Sequence, residues 1–330
     1  MADTPGIGMM TDQYQCTVII PSYQSSRTIA ACLTGVFAQD TTDSFEVIVV
    51  DSSSDETPAL IRDQFPQVRL IHLPQQTFPG TARNLGVQQA SADIICFLDS
   101  DCIPASNWLS SLLAWHRKGE RIVGGAVING TPESWVGWAS YFSEFREFIP
   151  AGEAHHVDSL PTCNLSYRKA IFQEYGGFPD AYYPQEDLIF NWMLGKQGET
   201  ILFDPAIQVN HIHRTQFRSF LAHQRRIGRV TTQVLRRTDL PGSALARRGV
   251  VALAALPLLV MLKFVRTLHV FVAWQPGIVL QHLLSWLLVA FGLLYWAVGF
   301  AQGLRSMSHP PDYERFTAPL DSGNKAMSSV

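Results

Sequence analysis

Residues 93–102 read DIICFLDSDC. Asp93 to Leu98 is a short apolar run that matches a buried parallel strand. It ends in Asp99-Ser100-Asp101, and residues i and i+2 of an extended segment share a face, so both carboxylates point the same way. Working back along the chain, the pattern recurs. Cys16–Ile20 (CTVII) stops at Pro21, Phe45–Val50 (FEVIVV) stops at Asp51, and Val68–Leu73 is a third such run. Between them, Arg27–Ala38, Asp55–Phe65 and Pro79–Ala90 have helical spacing, the last with proline in its first turn. Repeated strand–helix units predict an α/β domain with a doubly wound, mostly parallel, Rossmann-like sheet. Ligands of such sheets sit beyond the carboxyl ends of the strands, so Asp51, Asp99 and Asp101 are expected to converge on one crevice.

The same stretch excludes several chemistries. The turn after the first strand, Pro21-Ser22-Tyr23-Gln24-Ser25-Ser26, contains no glycine, which removes a dinucleotide fingerprint. The chain has neither a G-x-x-x-x-G-K-[ST] phosphate loop nor a G-x-S-x-G nucleophile elbow. Strand-end aspartates supply the hard oxygen donors that Mg²⁺ or Mn²⁺ prefers, and such ions commonly bridge to substrate phosphates. A lone Asp-x-Asp fits a solvated turn equally well; Asp51 at a second strand end is what favours a site.

Further motifs extend the pattern. CTVIIPSYQ, FEVIVVDSSSDET and FPGTARNLGVQQASADIICFLDSDC are followed by TCNLSYRKAIFQEYGGFPDAYYPQEDLIFNWMLGKQG and DPAIQVNHIHR. In this order, over residues 15–230, they resemble the family-2 glycosyltransferases. The resemblance implies a GT-A fold and inverting transfer of a sugar from a nucleotide-diphosphate sugar, with a UDP-sugar the favoured donor and a divalent metal (Mn²⁺ or Mg²⁺) as cofactor. It also implies roles. Pro21, Ser22, Tyr23 and Asp51 would line the base and ribose pocket, with Arg83 and Ser100 near the nucleotide. Asp101 would ligate the metal, and Asp99 would contact ribose or metal. His211 would complete the metal site. Asp187 would be the general base, since an acceptor hydroxyl must lose its proton as it attacks, with Glu186 as the fallback. The pair also suits a helix start at Asp187–Leu194, where acids favour the dipole. His213, Gln224, Arg225 and Arg226 are candidate diphosphate or acceptor contacts. Gln224-Arg225-Arg226 resembles the QxxRW element of processive relatives, but Gly228 stands where the tryptophan would be, which argues against polymer synthesis. Ser52 replaces a second acid that the family often shows after Asp51 and leaves the base open.

The net charge of −3 is composite. Residues 1–213 carry 11 Lys/Arg against 24 Asp/Glu; residues 214–248 carry nine Arg against Asp239 alone. From Gly249 to Leu304 the only charges are Lys263 and Arg266. We expect a flexible N-terminus (1–14), a catalytic domain (15–213; nucleotide-sugar half 15–103, acceptor half 104–213), a basic amphipathic segment (214–248), an apolar membrane hairpin (249–304) and a flexible tail (305–330). The arginine run suits nucleic acid in isolation, but the acidic body would repel a duplex, so no nucleic-acid partner is expected. A basic amphipathic helix before an apolar region suits an anionic membrane surface instead. Ile278–Phe300 lacks charge and is long enough to span a bilayer, with Trp286, Tyr295 and Trp296 as interface anchors. Val250–Trp274 either spans or lies at the interface. A two-pass hairpin would leave the arginines on the cytoplasmic side, with a lipid-linked or membrane-presented saccharide acceptor. The five cysteines show no zinc spacing and read as reduced core thiols, His155-His156 reads as a loop over the acceptor site, and no signal peptide is expected. Alternatives left open are a metal-dependent nucleotidyltransferase, a nucleotide-sugar hydrolase and a catalytically silent scaffold.

Overall fold

The computed structural model describes residues 14–306; the segments expected to be flexible lie almost wholly outside the described residues. Strand β1 (Cys16–Ser22), helix α1 (Ile29–Phe37), β2 (Phe45–Asp51), α2 (Thr57–Gln64), β3 (Arg69–His72), α3 (Pro79–Gln89) and β4 (Ile94–Leu98) realise the expected alternation. β3, β2, β1 and β4 lie side by side and parallel. β1 runs past Ile20 through Pro21. Its pairing with β4 ends at Ile19, so the proline ring meets an open flank rather than a central ladder. Helix α3 approaches the sheet closely, because a Cβ on Gly86 would lie 2.5 Å from the Ile19 side chain. That glycine lets α3 carry Arg83 over the strand ends.

The second half comprises β5 (Cys102–Pro104), α4 (Trp108–Arg117), β6 (Ile122–Asn129), α5 (Trp135–Glu144), β7 (His155–Val157), β8 (Asn164–Arg168), α6 (Ala170–Tyr175), α7 (Glu186–Lys196) and β9 (Ile201–His211). β8 inserts antiparallel between β4 and β6; β9 runs parallel to β6 and takes β5 and β7 antiparallel. The nine-stranded sheet is therefore mixed: parallel in its first half, with antiparallel joins in its second. His155 and His156 are not a loop over the site. They form an edge strand opposite Phe203 and Leu202, at the far end of β9 from His211. All five cysteines are free and buried.

Six helices complete the described residues: α8 (Phe217–Arg237), α9 (Ser243–Ala246), α10 (Val250–Ala254), α11 (Leu256–Trp274), α12 (Pro276–Gln281) and α13 (Leu283–Arg305). By length and composition alone, α11 and α13 are able to cross a membrane. The run expected as one helix at Ile278–Phe300 is broken at His282, between α12 and α13. α8 and α13 lie parallel in backbone contact. Thr232 donates Oγ1–H to the Phe300 carbonyl at 3.0 Å, and Arg236 donates to that of Leu304 at 2.9 Å. A Cβ on Gly228 would sit 2.0 Å from the Trp296 oxygen, and one on Gly299 would sit 1.9 Å from that of Arg225. Glycine at 228 is thus a packing requirement as well as a missing tryptophan. Trp286 and Trp296, expected as interface anchors, are buried instead. Trp286 stacks on Phe142 of α5 at 4.5 Å and Trp296 lies 5.0 Å from Phe300, while Tyr295 stays exposed.

Candidate active site

β1, β2 and β4 are parallel neighbours, so their carboxyl ends lie along one edge of the sheet. Asp51, the last residue of β2, is wholly buried there. Its Oδ1 accepts from Ser22 Oγ (2.8 Å) and Ser53 Oγ (2.6 Å); its Oδ2 accepts from the Ser53 amide (3.1 Å) and lies 2.9 Å from His72 Nδ1. These donors occupy the carboxylate that was expected to bind the base. His72, which the sequence reading missed, is the partly exposed member of this cluster, and its only advance signal was its place at the end of the third strand. Pro21 is buried beside Ser22, and Tyr23 is exposed at the rim. Ser100 bonds Ser25 Oγ at 2.8 Å and ties the β4 end to the β1 turn. Ser52 Oγ accepts the Thr77 amide at 3.1 Å, so the residue that departs from the family pattern holds the loop before α3.

Arg83 joins the two halves. It donates to Asp99 Oδ1 at 2.7 Å and to Glu186 Oε1 at 2.9 Å, almost fully buried. Burial would lower its affinity for its proton, but the carboxylates of Asp99, Glu186 and Asp187 raise it above the ordinary value. Glu186 and Asp187 open α7, as expected. Burial pushes the Glu186 carboxyl up to about 7, against the pull of Arg83, and its Oε2 is buried without a partner. Asp187 is less enclosed. Its Oδ1 accepts its neighbour Leu188 amide at 2.8 Å and its Oδ2 accepts the Thr162 amide at 3.2 Å. Burial also raises the Asp187 carboxyl above the aspartate range, against Arg83.

Strand β5, invisible in the sequence, assembles the third cluster. It pairs with β9 so that Cys102 faces His211, and the Ile212 amide donates to the Asp101 carbonyl at 2.8 Å. His211 Nε2 then lies 3.6 Å from Asp101 Oδ1. Donor atoms of Asp101, Cys102 and His211 all lie within 4.8 Å of one another. The His211 Nδ1 atom is buried and unpartnered, and one hard oxygen plus one imidazole nitrogen suit a divalent cation. Burial holds the Cys102 thiol well above its usual value, so it remains protonated and is the poorest donor of the three.

The family model for glycosyl transferase family 2 matches residues 17–176, which hold Asp51, Arg83, Asp99 and Asp101. That match covers just under half of the chain and supports a family-2 glycosyltransferase. The chain is 26% identical over 218 residues to the pre-mycofactocin glycosyltransferase of Mycobacterium tuberculosis, covering 63% of this chain and 45% of that one. It thus spans about half the length of that curated relative. It is 28% identical over 224 residues to glycosyltransferase AglE of Haloferax volcanii, covering 66% and 73% of the two chains. The mannosyltransferase PcManGT of Pyrobaculum calidifontis, solved with GDP-Man and Mn²⁺, superposes with a TM-score of 0.55 at 18% identity, over 87% of this chain and 86% of that one. The last likeness shows the shared GT-A fold.

The remaining candidates separate. His213 stacks on His211 with ring centroids 4.5 Å apart and packs against Tyr141 and Phe145. Burial, with His211 adding to it, holds its ring well below the ordinary imidazole value, and neither nitrogen has a partner. Gln224 donates to Glu144 Oε1 at 3.1 Å, and His223 Nε2 lies 3.5 Å from Glu144 Oε2. Burial alone would raise the Glu144 carboxyl, but His223, Arg214 and His213 hold it down at about 2. No motif announced Glu144 or His223. The Arg226 guanidinium lies 5.8 Å over the ring of Tyr183, three residues before Glu186. Arg225 is a correction: it donates to Gln302 of α13 at 2.9 Å and points away from the crevice, since adjacent helical residues cannot share a face.

Proposed function

We propose that the catalytic unit, residues 15–213, transfers a sugar from a nucleotide-diphosphate sugar to an acceptor hydroxyl with inversion. The observation that carries this reading is the Arg83 bridge from Asp99 to Glu186, which sets nucleotide-side and acceptor-side carboxylates around one crevice. Of the two acids opening α7, Glu186 is engaged by Arg83, which leaves Asp187 as the base. The Leu188 and Thr162 amides orient its carboxylate, and its raised proton affinity suits it to accept the proton. The acceptor oxygen forms the new bond to the anomeric carbon, the bond from that carbon to the diphosphate oxygen breaks, and its electron pair leaves with the diphosphate. The acceptor's proton passes to Asp187. Asp101 and His211 would hold a divalent cation, which supplies charge neutralisation for the departing diphosphate.

The apolar helices and the arginine segment support a membrane-associated enzyme on the cytoplasmic face, with a lipid-linked or membrane-presented acceptor. To test the reading, a panel of nucleotide-diphosphate sugars with Mn²⁺ is screened by thermal shift. The stabilising donor is then assayed for nucleotide release with and without lipid extract. Release that requires the extract, with a glycosylated lipid product, is the expected result. Equal release without acceptor would replace the transferase by a nucleotide-sugar hydrolase.

A further inference from the structure

α11 and α13 each present two faces. On α13, Leu283, Leu287, Phe291, Leu294 and Val298 are about half exposed or more, spaced along one stripe. Its opposite side, including Trp286, Gly292, Trp296, Gly299 and Gly303, is buried against α5 and α8. On α11, Leu258, Met261, Leu262, Val265 and Val272 are exposed, while Phe271 is buried against Tyr141 and Phe142.

Neither helix can stand upright in a bilayer as packed. α8 runs parallel to α13 in backbone contact from Gly228 to Arg236 and bears the exposed Arg225 and Arg229, the first of which bonds Gln302 of α13. A membrane-crossing α13 would carry these guanidinium groups into hydrocarbon, and α5 with them. Lys263 and Arg266 make the same point for α11. They lie at its middle, yet Arg266 pairs with Glu147 just beyond α5 at 2.9 Å, and the Lys263 ammonium sits 4.5 Å over the Trp296 ring.

We infer that α11 and α13 lie in the plane of one leaflet, as a monotopic platform, and do not form the two-pass hairpin that composition suggests. The occupant of the apolar face is an anionic lipid surface. Exposed Arg218, Arg225 and Arg229 of α8, which packs on α13, and Arg248 just before α10 supply positive charge, and between Arg214 and Arg305 the chain holds a single acid, Asp239. The stripe sinks about 5–10 Å into the headgroup boundary, and the arginines meet lipid phosphates. This deepens the membrane-associated reading above, and its tests are independent of sugar transfer.

Single cysteines replace exposed Gly195 on α7, exposed Gly277 on α12 and half-buried Ser306 after α13 in the full chain, whose native cysteines are all buried. A membrane-impermeant maleimide is applied to spheroplasts of an expressing bacterium, intact and lysed. An in-plane platform places all three on one side, so they label together in the same preparation. Gly277→Cys labelling on the opposite side from Gly195→Cys restores the hairpin, and Ser306→Cys alone opposite makes α13 a single span; either overturns the proposal. In a second arm, the purified chain is floated with vesicles of phosphatidylcholine alone or mixed equally with phosphatidylglycerol. Binding is expected to prefer the anionic vesicles, to fall with salt, and to drop at least about tenfold in the double variant Leu287→Asp/Phe291→Asp. Nucleotide-induced thermal stabilisation should persist in that variant and shows that it is folded. Equal binding to both vesicles, or a stable dimer that ignores vesicles, also overturns the proposal.

Discussion

Two carboxylates of the crevice differ in what surrounds them. Asp51, on the nucleotide side, is wholly buried and accepts from Ser22, Ser53 and His72 with both oxygens. On the acceptor side the polar groups are left incomplete: Glu186 Oε2, His211 Nδ1 and both His213 nitrogens are buried and unpartnered. Buried polar atoms are nearly always satisfied, so orphaned ones mark where a ligand, ion or water completes the structure. On the proposed function, the difference would separate a finished scaffold from a surface that substrates complete. Substitutions on the scaffold side should register chiefly as stability, and those on the acceptor side chiefly as turnover.

The sharpest test is Asp187→Asn. Sugar transfer should fall by about 10²–10⁴-fold, with nucleotide affinity by calorimetry unchanged. Retained turnover would move the base elsewhere and dissolve the comparison. Arg83→Met crosses the boundary. It leaves Glu186 and Asp99 without their buried counter-ion, so chemical denaturation should show about 3–5 kcal/mol of lost stability along with lost activity. Asp51→Asn is expected to cost about 1–3 kcal/mol, because an amide cannot accept from all the donors now facing it. Turnover per folded molecule at saturating donor should change little; a large turnover loss would show that Asp51 belongs with the unfinished groups.

The smallest expected effect is a pH dependence. Glu144 is held at about 2, below its ordinary value of 4.5. A depressed carboxylate contributes stability that is fully present above the ordinary value and is lost as pH falls through the native one. Thermal melts should therefore lose stability between about pH 4.5 and about pH 2, and Glu144→Gln should flatten that step. An unchanged step would assign acid sensitivity to other groups.

How much of this was legible depended on how local each cause is. The strands ending at Asp51 and Asp99 announce themselves through β-branched runs that stop at a carboxylate, and the α7 start through its paired acids. β5 has three residues and exists only because β9 lies beside it, so the proximity of Asp101 and His211 could be expected from the family resemblance but not from any local pattern. Glu144 meets His223 and Gln224 only after α8 folds back on α5, and His72 meets Asp51 only across two paired strands. The C-terminal helices show the opposite failure. Hydropathy reads apolarity without direction, so the faces of Trp286 and Trp296 looked lipid-bound although they pack against protein.

Helix α5 is shared by both worlds of this molecule. Tyr141, with Phe145 just beyond the helix, packs against the His213 ring, while Trp138 and Phe142 meet His282 and Trp286 at the start of α13. One helix layer, about 8–10 Å between axes, thus separates the histidine cluster from the leaflet-facing platform. On the membrane reading proposed above, that spacing would act as a ruler. An acceptor hydroxyl only a sugar or two above the lipid phosphates would meet the crevice without leaving the bilayer, whereas the tip of a long glycan would overshoot it. The thickness of one helix would then select the early additions to a lipid-borne chain over the late ones.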